Sequence, residues 1–362
     1  MNPIQSHDKQ FLRFLWVFTL AGLPAVACLL AARWHWAFIL MPILLIHVAI
    51  PAIDAVVPAD TAQAFERATA PSLATKLKAF DWPVWCLPSW YLAVITTIWL
   101  SKDLSGWTWV LAGVSLGATG GILAINAAHE LIHRKSVWQR RAGGWLLAGV
   151  CYGAFKTEHV RGHHLWVATQ RDTASAKRGQ LLYTFMAKSI IGTMANAWRL
   201  EREKPLLQNE FWQLNALSVV LAITIYLSAG LAGLGMFLIA SFVAIIELEI
   251  INYIEHYGLN REQDSNGRFI KVTEQHSWNV NTPIANTFLF NLQRHSDHHM
   301  NAGREYLALR DMVDAPRLPG GYGAMVLMAL IPPLWFKVMD HALDKHAQSQ
   351  QDQSLANQAK QN

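Results

Sequence analysis

Nine of the fifteen histidines fall into four short clusters. They read His129-Glu-Leu-Ile-His133, Glu158-His159-Val-Arg-Gly-His163-His164, Asn252-Tyr-Ile-Glu-His256-Tyr-Gly and Leu292-Gln-Arg-His295-Ser-Asp-His298-His299. Neutral imidazole is the commonest side-chain ligand for transition metals, and one ion rarely takes more than about six ligands. Nine clustered imidazoles are too many for one ion and a reasonable number for two, which points to a dinuclear metal enzyme. On an ideal α-helix His129 and His133 stand about 40° apart, on one face. His159 and His163 repeat that spacing. His164 projects about 100° further round, where it could reach a second ion. His298 and His299 straddle the direction of His295, so three ligands could converge from one turn. An all-imidazole set suits zinc, copper, iron or nickel, and ligand type alone does not choose among them. The inward glutamates of soluble di-iron bundles are missing from the pattern.

Polar neighbours flank the clusters: Asn126, Glu130, Glu158, Asn252, Glu255 and Asp297. A metal-bound imidazole commonly donates its other N–H to such a group, which fixes the ring's tautomer and orientation. Some of these would instead pair with Arg134, Arg161 or Arg294. Glu249 lies seven residues before His256, nearly on the same helical face and deep in an apolar run, where a carboxylate is costly and usually functional. Glu247 is harder to place. His47 is a lone polar group in another apolar run, and a hydrogen-bonded structural role is expected for it.

The elements that carry these clusters are hydrophobic. The chain has 362 residues, 52% hydrophobic and only 15% charged, against about 25% charged in soluble domains. A membrane crossing needs about 20 mostly apolar residues. Six runs qualify: 14–32, 36–57, 84–100, 107–128, 214–233 and 234–253. Two shorter runs, 144–155 and 324–339, read as re-entrant or interfacial, the second broken by Pro332-Pro333. Sixteen tryptophans suit interfacial anchoring. The three cysteines, Cys28, Cys86 and Cys151, are scattered, which argues against a disulfide framework, a rubredoxin-like iron site or an iron–sulfur cluster. His7, Asp8 and Lys9 precede the first run, but no small-residue cleavage site follows it, so no cleavable leader is expected.

In a six-crossing arrangement the short outer loops hold only Arg33 and Lys102 of the 30 lysines and arginines. Positive charge stays cytoplasmic. Both termini and all four histidine clusters are therefore expected on the cytoplasmic face of a bacterial inner membrane. Residues 1–345 read as one membrane domain, and the polar tail 346–362 as disordered. The basic residues follow membrane topology and show no nucleic-acid recognition motif.

With these residues in view, the chain is identified as a member of the integral-membrane alkane hydroxylases, within the fatty acid desaturase and hydroxylase superfamily. His129-Glu-Leu-Ile-His-Arg resembles the family's His-Glu-Leu-Gly-His-Lys, and the cluster ending in His163-His164 resembles its second box. The continuations Val167-Ala-Thr and Asp172-Thr-Ala-Ser, the segment His276-Ser-Trp-Asn and the tract Leu318-Pro-Gly-Gly-Tyr are also similar. The clusters around His256 and His295 are the most diagnostic, because generic desaturases share the histidine spacing but usually not the residues between. The resemblance implies an all-α integral membrane fold: six transmembrane helices with a cytoplasmic helical cap carrying a histidine-rich di-iron site. It implies O2 as co-substrate, with NADH-derived electrons delivered by rubredoxin and a rubredoxin reductase. Carried over position by position, the nine iron ligands are His129, His133, His159, His163, His164, His256, His295, His298 and His299, while His276 is structural or outer. Three positions depart from the pattern, with Ile132 in place of a glycine, Arg134 of a lysine and Gln275 of a histidine. A bulkier Ile132 near the metals could reshape the site.

The reaction expected from this resemblance is hydroxylation of the terminal methyl of medium- or long-chain n-alkanes to 1-alkanols. The alternatives are a related hydroxylase of alkylbenzenes or fatty-acid esters, or a fatty acyl desaturase. Metal transport is disfavoured, because a transporter distributes ionisable groups near the midplane, often in repeated halves. An apolar substrate would enter from the bilayer through a channel ending at the histidines, narrowed by Leu44, Leu45, Ile46, His47 and Ile50. A basic face with Arg134, Lys135, Arg140 and Arg141 could steer an acidic electron carrier.

Overall fold

The computed structural model describes residues 12–59 and 81–361, with side chains to 352. His7, Asp8 and Lys9 lie outside the described residues. The described chain is helical, with only two isolated β-bridges, Gln263 with Phe269 and Asn279 with Arg317. Among the described residues five helices are long and apolar enough to cross a membrane. They are α1 (Arg13–Arg33), α2 (Trp36–Val56), α3 (Trp82–Leu100), α4 (Gly106–Ile132) and α8 (Glu210–His256). The first four match the expected runs to within a few residues, except that α4 continues past 128 to carry His129.

Helix α8 joins the last two expected runs. Its dihedrals are helical except at Gly230 (φ 67°, ψ −166°), a conformation that only glycine adopts cheaply. Near one end Glu210 pairs with Lys156, and near the other Glu249 accepts a hydrogen bond from Tyr152 at 2.6 Å. Thirty-nine residues of straight helix would span roughly 58 Å. Both ends nevertheless meet the same short segment, so the chain doubles back at Gly230. Runs 214–233 and 234–253 are the two arms, and the turn sits a few residues earlier than the hydropathy suggested.

Small residues let the arms pack. A Cβ at Gly113 would lie 2.9 Å from Ile239, and one at Gly117 would lie 2.5 Å from Val243. Such close approach is how helices associate where lipid offers no hydrophobic contrast. Helix α4 is the most enclosed of the five, 67% buried over its apolar window, whereas α2 is 17% buried and stands at the edge of the bundle. The outward side chains are apolar, including Val48, Ile53, Leu227 and Leu231, as contact with lipid requires.

Shorter helices gather where α4 and α8 end: α5 (Val137–Ala148), α6 (154–166), α7 (Leu182–Glu201), α9 (Pro283–Phe288), α10 (His295–Met300), α11 (Tyr322–Ala329) and α12 (Pro332–Gln361). The run expected at 144–155 is the buried end of α5 and the turn into α6. The run at 324–339 breaks before Pro332 into α11 and α12, as the proline pair required. The tail from 346, expected to lack order, continues α12 to Gln361. No glycine or proline follows Pro333, and Gln, Ala, Lys and Leu are good helix formers, so composition that reads as low complexity also propagates a helix. Asp54 at the end of α2 clamps this layer to the bundle by accepting the Ile284 and Ala285 N–H groups at 2.8 and 2.9 Å.

Three stretches wind as π-helix: Leu45–Ala49 in α2, Gly121–Asn126 in α4 and His159–His163 in α6. Such turns are rare and cluster at functional sites. Here each contributes to the wall of one cavity.

Candidate metal centre

The nine clustered histidines form two adjoining groups. His129, His133, His159, His164 and His298 make one, and His163, His256, His295 and His299 the other. Within each group the ligand nitrogens all lie within 4.8 Å of one another. In the first, Nε2 of His159 is 3.0 Å from that of His133 and 3.0 Å from that of His164, which is 3.1 Å from that of His298. In the second, Nε2 of His295 is 3.2 Å from that of His256 and 3.0 Å from that of His299. Two nitrogens bound to one ion at about 2.0–2.1 Å, in tetrahedral to octahedral geometry, stand roughly 2.9–3.4 Å apart. The observed spacings fit metal ions. The rings of His164 and His299 stack at 4.4 Å, so the groups share a wall.

The division differs from the one ideal helices predicted, and the π turn explains it. Its i→i+5 closure brings His159 and His164 onto one side, although on an α-helix they would sit about 140° apart. His163 is thereby turned into the second group. On α10, His295 and His299 stay together at i, i+4, while His298 faces the first group. The three therefore split between the groups instead of converging.

Six of the rings are held toward the free base. Burial, then the neighbouring imidazoles, pushes His133 down to about 3 and holds His159, His164, His295, His298 and His299 well below the ordinary histidine range. His163 moves the other way. Burial opposes its charge, but Asp172, 2.9 Å from its Nδ1, outweighs that and raises it. Its Nε2 is buried without a hydrogen-bond partner among the described residues and belongs to the group.

Among the seven polar neighbours expected to support the ligands, only Glu255 touches an imidazole within the described residues. Its Oε2 lies 3.1 Å from His295 Nε2, at the ligand nitrogen, and its Oε1 accepts from Tyr322 at 2.7 Å. Glu130 bonds to Arg134 and the Tyr306 N–H, Asp297 to Arg304 and Arg310, and Glu249 to Tyr152 and Asn252. Glu158 packs against Gly162 and reaches Asn196, while Asn126 lines the cavity. Two supports come from elsewhere. Asp172 holds His163 and is itself tied to Ser175 at 2.6 Å, and the backbone carbonyl of His276 lies 3.3 Å from His256 Nδ1. Asp172 carries a signal in the sequence, a carboxylate nine residues after a clustered histidine. Ile132 packs against Gly143 and does not line the cavity, so its bulk is directed away from it. Arg134 is no docking residue. It is buried among Glu130, Asp81 and Glu305, which leaves Lys135 and Arg141 exposed. Arg140 turns back onto the carbonyls of Arg134 and Lys135.

A cavity of ≈ 100 Å³ runs from the histidines into the bundle. At about 10–15 Å³ per water-sized group it holds a chain segment, not a single solvent molecule. His129, His159, His295 and Glu255 close one end. Its walls are mostly apolar, notably Ile46, Ile50, Ile122, Ile125, Leu248 and Ile251. Of the five α2 residues expected to narrow a channel, Ile46, His47 and Ile50 line it. Leu44 is exposed, and Leu45 packs against the core.

A sequence model described as fatty acid desaturase matches residues 105–352, the stretch that holds all nine histidines. Alkane 1-monooxygenase 2 of Pseudomonas aeruginosa is 37% identical over 348 residues, 92% of this chain and 91% of that protein. The chain belongs to the fatty acid desaturase family, among its alkane 1-monooxygenases. Alkane 1-monooxygenase 2 of Alcanivorax borkumensis is 46% identical over 66% of this chain and 65% of its own length. The hydroxylase component of xylene/toluene monooxygenase from Pseudomonas putida is 31% identical over 62% of each chain. The family membership expected from the motifs therefore holds across nearly the whole chain.

Proposed function

We propose that this chain hydroxylates the terminal methyl of medium- or long-chain n-alkanes to 1-alkanols, with O2 and electrons from rubredoxin and its NADH-dependent reductase. In this reading two irons sit in the two histidine groups, held by all nine imidazoles. The bundle then crosses the inner membrane six times, the two arms of α8 counting separately, with both termini and the histidines on the cytoplasmic side. The carrying observation is that two sets of closely spaced imidazoles meet at one end of a largely apolar cavity inside a membrane domain.

Bound iron supplies the activation of O2, which no side chain here can perform. The chain's own residues do the rest. The isoleucine-rich wall accepts a hydrocarbon leaving the bilayer and excludes water, holding the chain lengthwise so that one methyl meets His129, His159 and His295. Asp172 fixes the His163 ring and its tautomer, so that Nε2 is the nitrogen offered to a metal. Exposed Lys135 and Arg141 favour encounter with an acidic carrier.

The similarity to the xylene/toluene hydroxylase component keeps alkylbenzenes as a second substrate class. Membranes supplied with NADH, rubredoxin, its reductase and a ladder of n-alkanes, toluene and fatty acyl esters separate the readings by gas chromatography. 1-Alkanols as the main products support the proposal. Benzyl alcohols alone, or alkenes alone, overturn it.

A further inference from the structure

The far end of the cavity is not apolar. His47 on α2 and Glu247 on α8, 200 residues apart, meet with Nε2 and Oε1 3.0 Å apart, and both line the wall. Their side chains keep 14% and 18% of their surface exposed in the middle of two apolar helices. Glu247 Oε1 is satisfied by His47, but among the described residues Oε2 bonds to nothing. The space beside it exists because residue 121 is glycine. A Cβ there would stand 2.5 Å from Oε2. An ionisable pair within a membrane domain is costly and usually serves a ligand. The unbonded Oε2 leaves an acceptor beside Gly121, which lines the chamber with it.

Glu247 precedes Glu255 by eight residues, about 12 Å along the helix, and Glu255 touches His295. Leu248 and Ile251 line the path between. A ligand filling this path has one end at the histidines and the other at a hydrogen-bond acceptor. A hydrocarbon end cannot use that acceptor, a carboxylate end is repelled by it, and an ester offers no donor. A hydroxyl fits.

We propose that the same site takes primary alcohols hydroxyl-end first, with Glu247 and His47 recognising the hydroxyl, and hydroxylates the far methyl to give an α,ω-diol. This rests on the hydroxylase reading above. One atom of O2 enters the methyl C–H bond. The other leaves as water, with two electrons from the same carrier and two protons. His47 and Glu247 are specificity residues and take no part in the chemistry.

The test uses the full chain in membranes, with NADH, rubredoxin and reductase, and a matched ladder of 1-alkanols, n-alkanes and fatty acids from eight carbons upward. The wild-type chain is expected to form diols with a defined length optimum and to leave the acids untouched. In the double variant His47→Leu/Glu247→Leu, the ratio of alkanol to alkane kcat/KM should fall about tenfold, the loss of one hydrogen bond to a charged acceptor. Gly121→Ala, which crowds Oε2 and keeps both ionisable residues, should lower the same ratio and stands in if the double variant loses iron. No diol from a wild-type chain that still oxidises alkanes overturns the proposal, as does a ratio unmoved in both variants. Failure to oxidise alkanes at all overturns the hydroxylase reading and this inference with it.

Discussion

The two histidine groups differ in how they are held. In the four-membered group every ring is buried, and two have an anchor on Nδ1: Asp172 on His163 and the His276 carbonyl on His256. In the five-membered group His133 and His164 are only partly buried, and no Nδ1 is anchored among the described residues, those of His159 and His164 being buried without a partner like those of His295 and His299 in the other group. Anchored rings arrive pre-aimed and lose little freedom on binding a metal, whereas rings aimed only by packing depend on the metal to complete them. The four-membered group should therefore be the tighter and more rigid site, and the five-membered group the more labile and accessible one. Both contribute to the same end of the cavity.

The largest expected effect comes from removing a ligand. His298→Ala should halve the iron per chain, emptying the five-membered group, and abolish octane oxidation. Full iron loading with normal turnover would contradict the ligand assignment. Next, Asp172→Asn should weaken metal binding about 10–100-fold, in the four-membered group alone. Metal analysis after graded chelation checks this, and equal loss from both groups would erase the contrast drawn above.

Glu130→Gln sharpens the comparison from the other side. Glu130 follows His129 directly yet bonds to Arg134 and the Tyr306 N–H, not to a ring. The variant should keep both irons and cost only about 1–3 kcal/mol of stability, read as a lower Tm. Loss of iron would mean that the five-membered group has its own carboxylate support. The smallest effect is expected at the wall. Ile50→Phe should shift the chain-length optimum toward shorter alkanes by a few carbons with iron unchanged, checked by product profiles across the ladder.

Residue type and spacing made all nine histidines legible, along with the helices that carry them, because metal ligation and membrane crossing both impose local patterns. What stayed hidden depends on backbone winding or on distant partners. Nothing in His159-Val-Arg-Gly-His163 announces a π turn, so the α-helical periodicity put His163 with the wrong neighbours. Glu247 had no role until the fold brought His47 to it, and Arg134 looked like a docking cation until Asp81 and Glu305 closed around it. Gly230 was one glycine in a run of small residues, and only its positive φ marks the turn. Asp172 lies in a loop whose path no periodicity predicts.

The central claim is that two metals sit in unequal histidine sites. Mössbauer spectra of iron-57-enriched protein during stepwise chelation test it most directly. The account predicts two signals of equal area at full loading, with the one that vanishes in His298→Ala the first to go. A single signal, one iron per chain, or loss of both signals in parallel would contradict it.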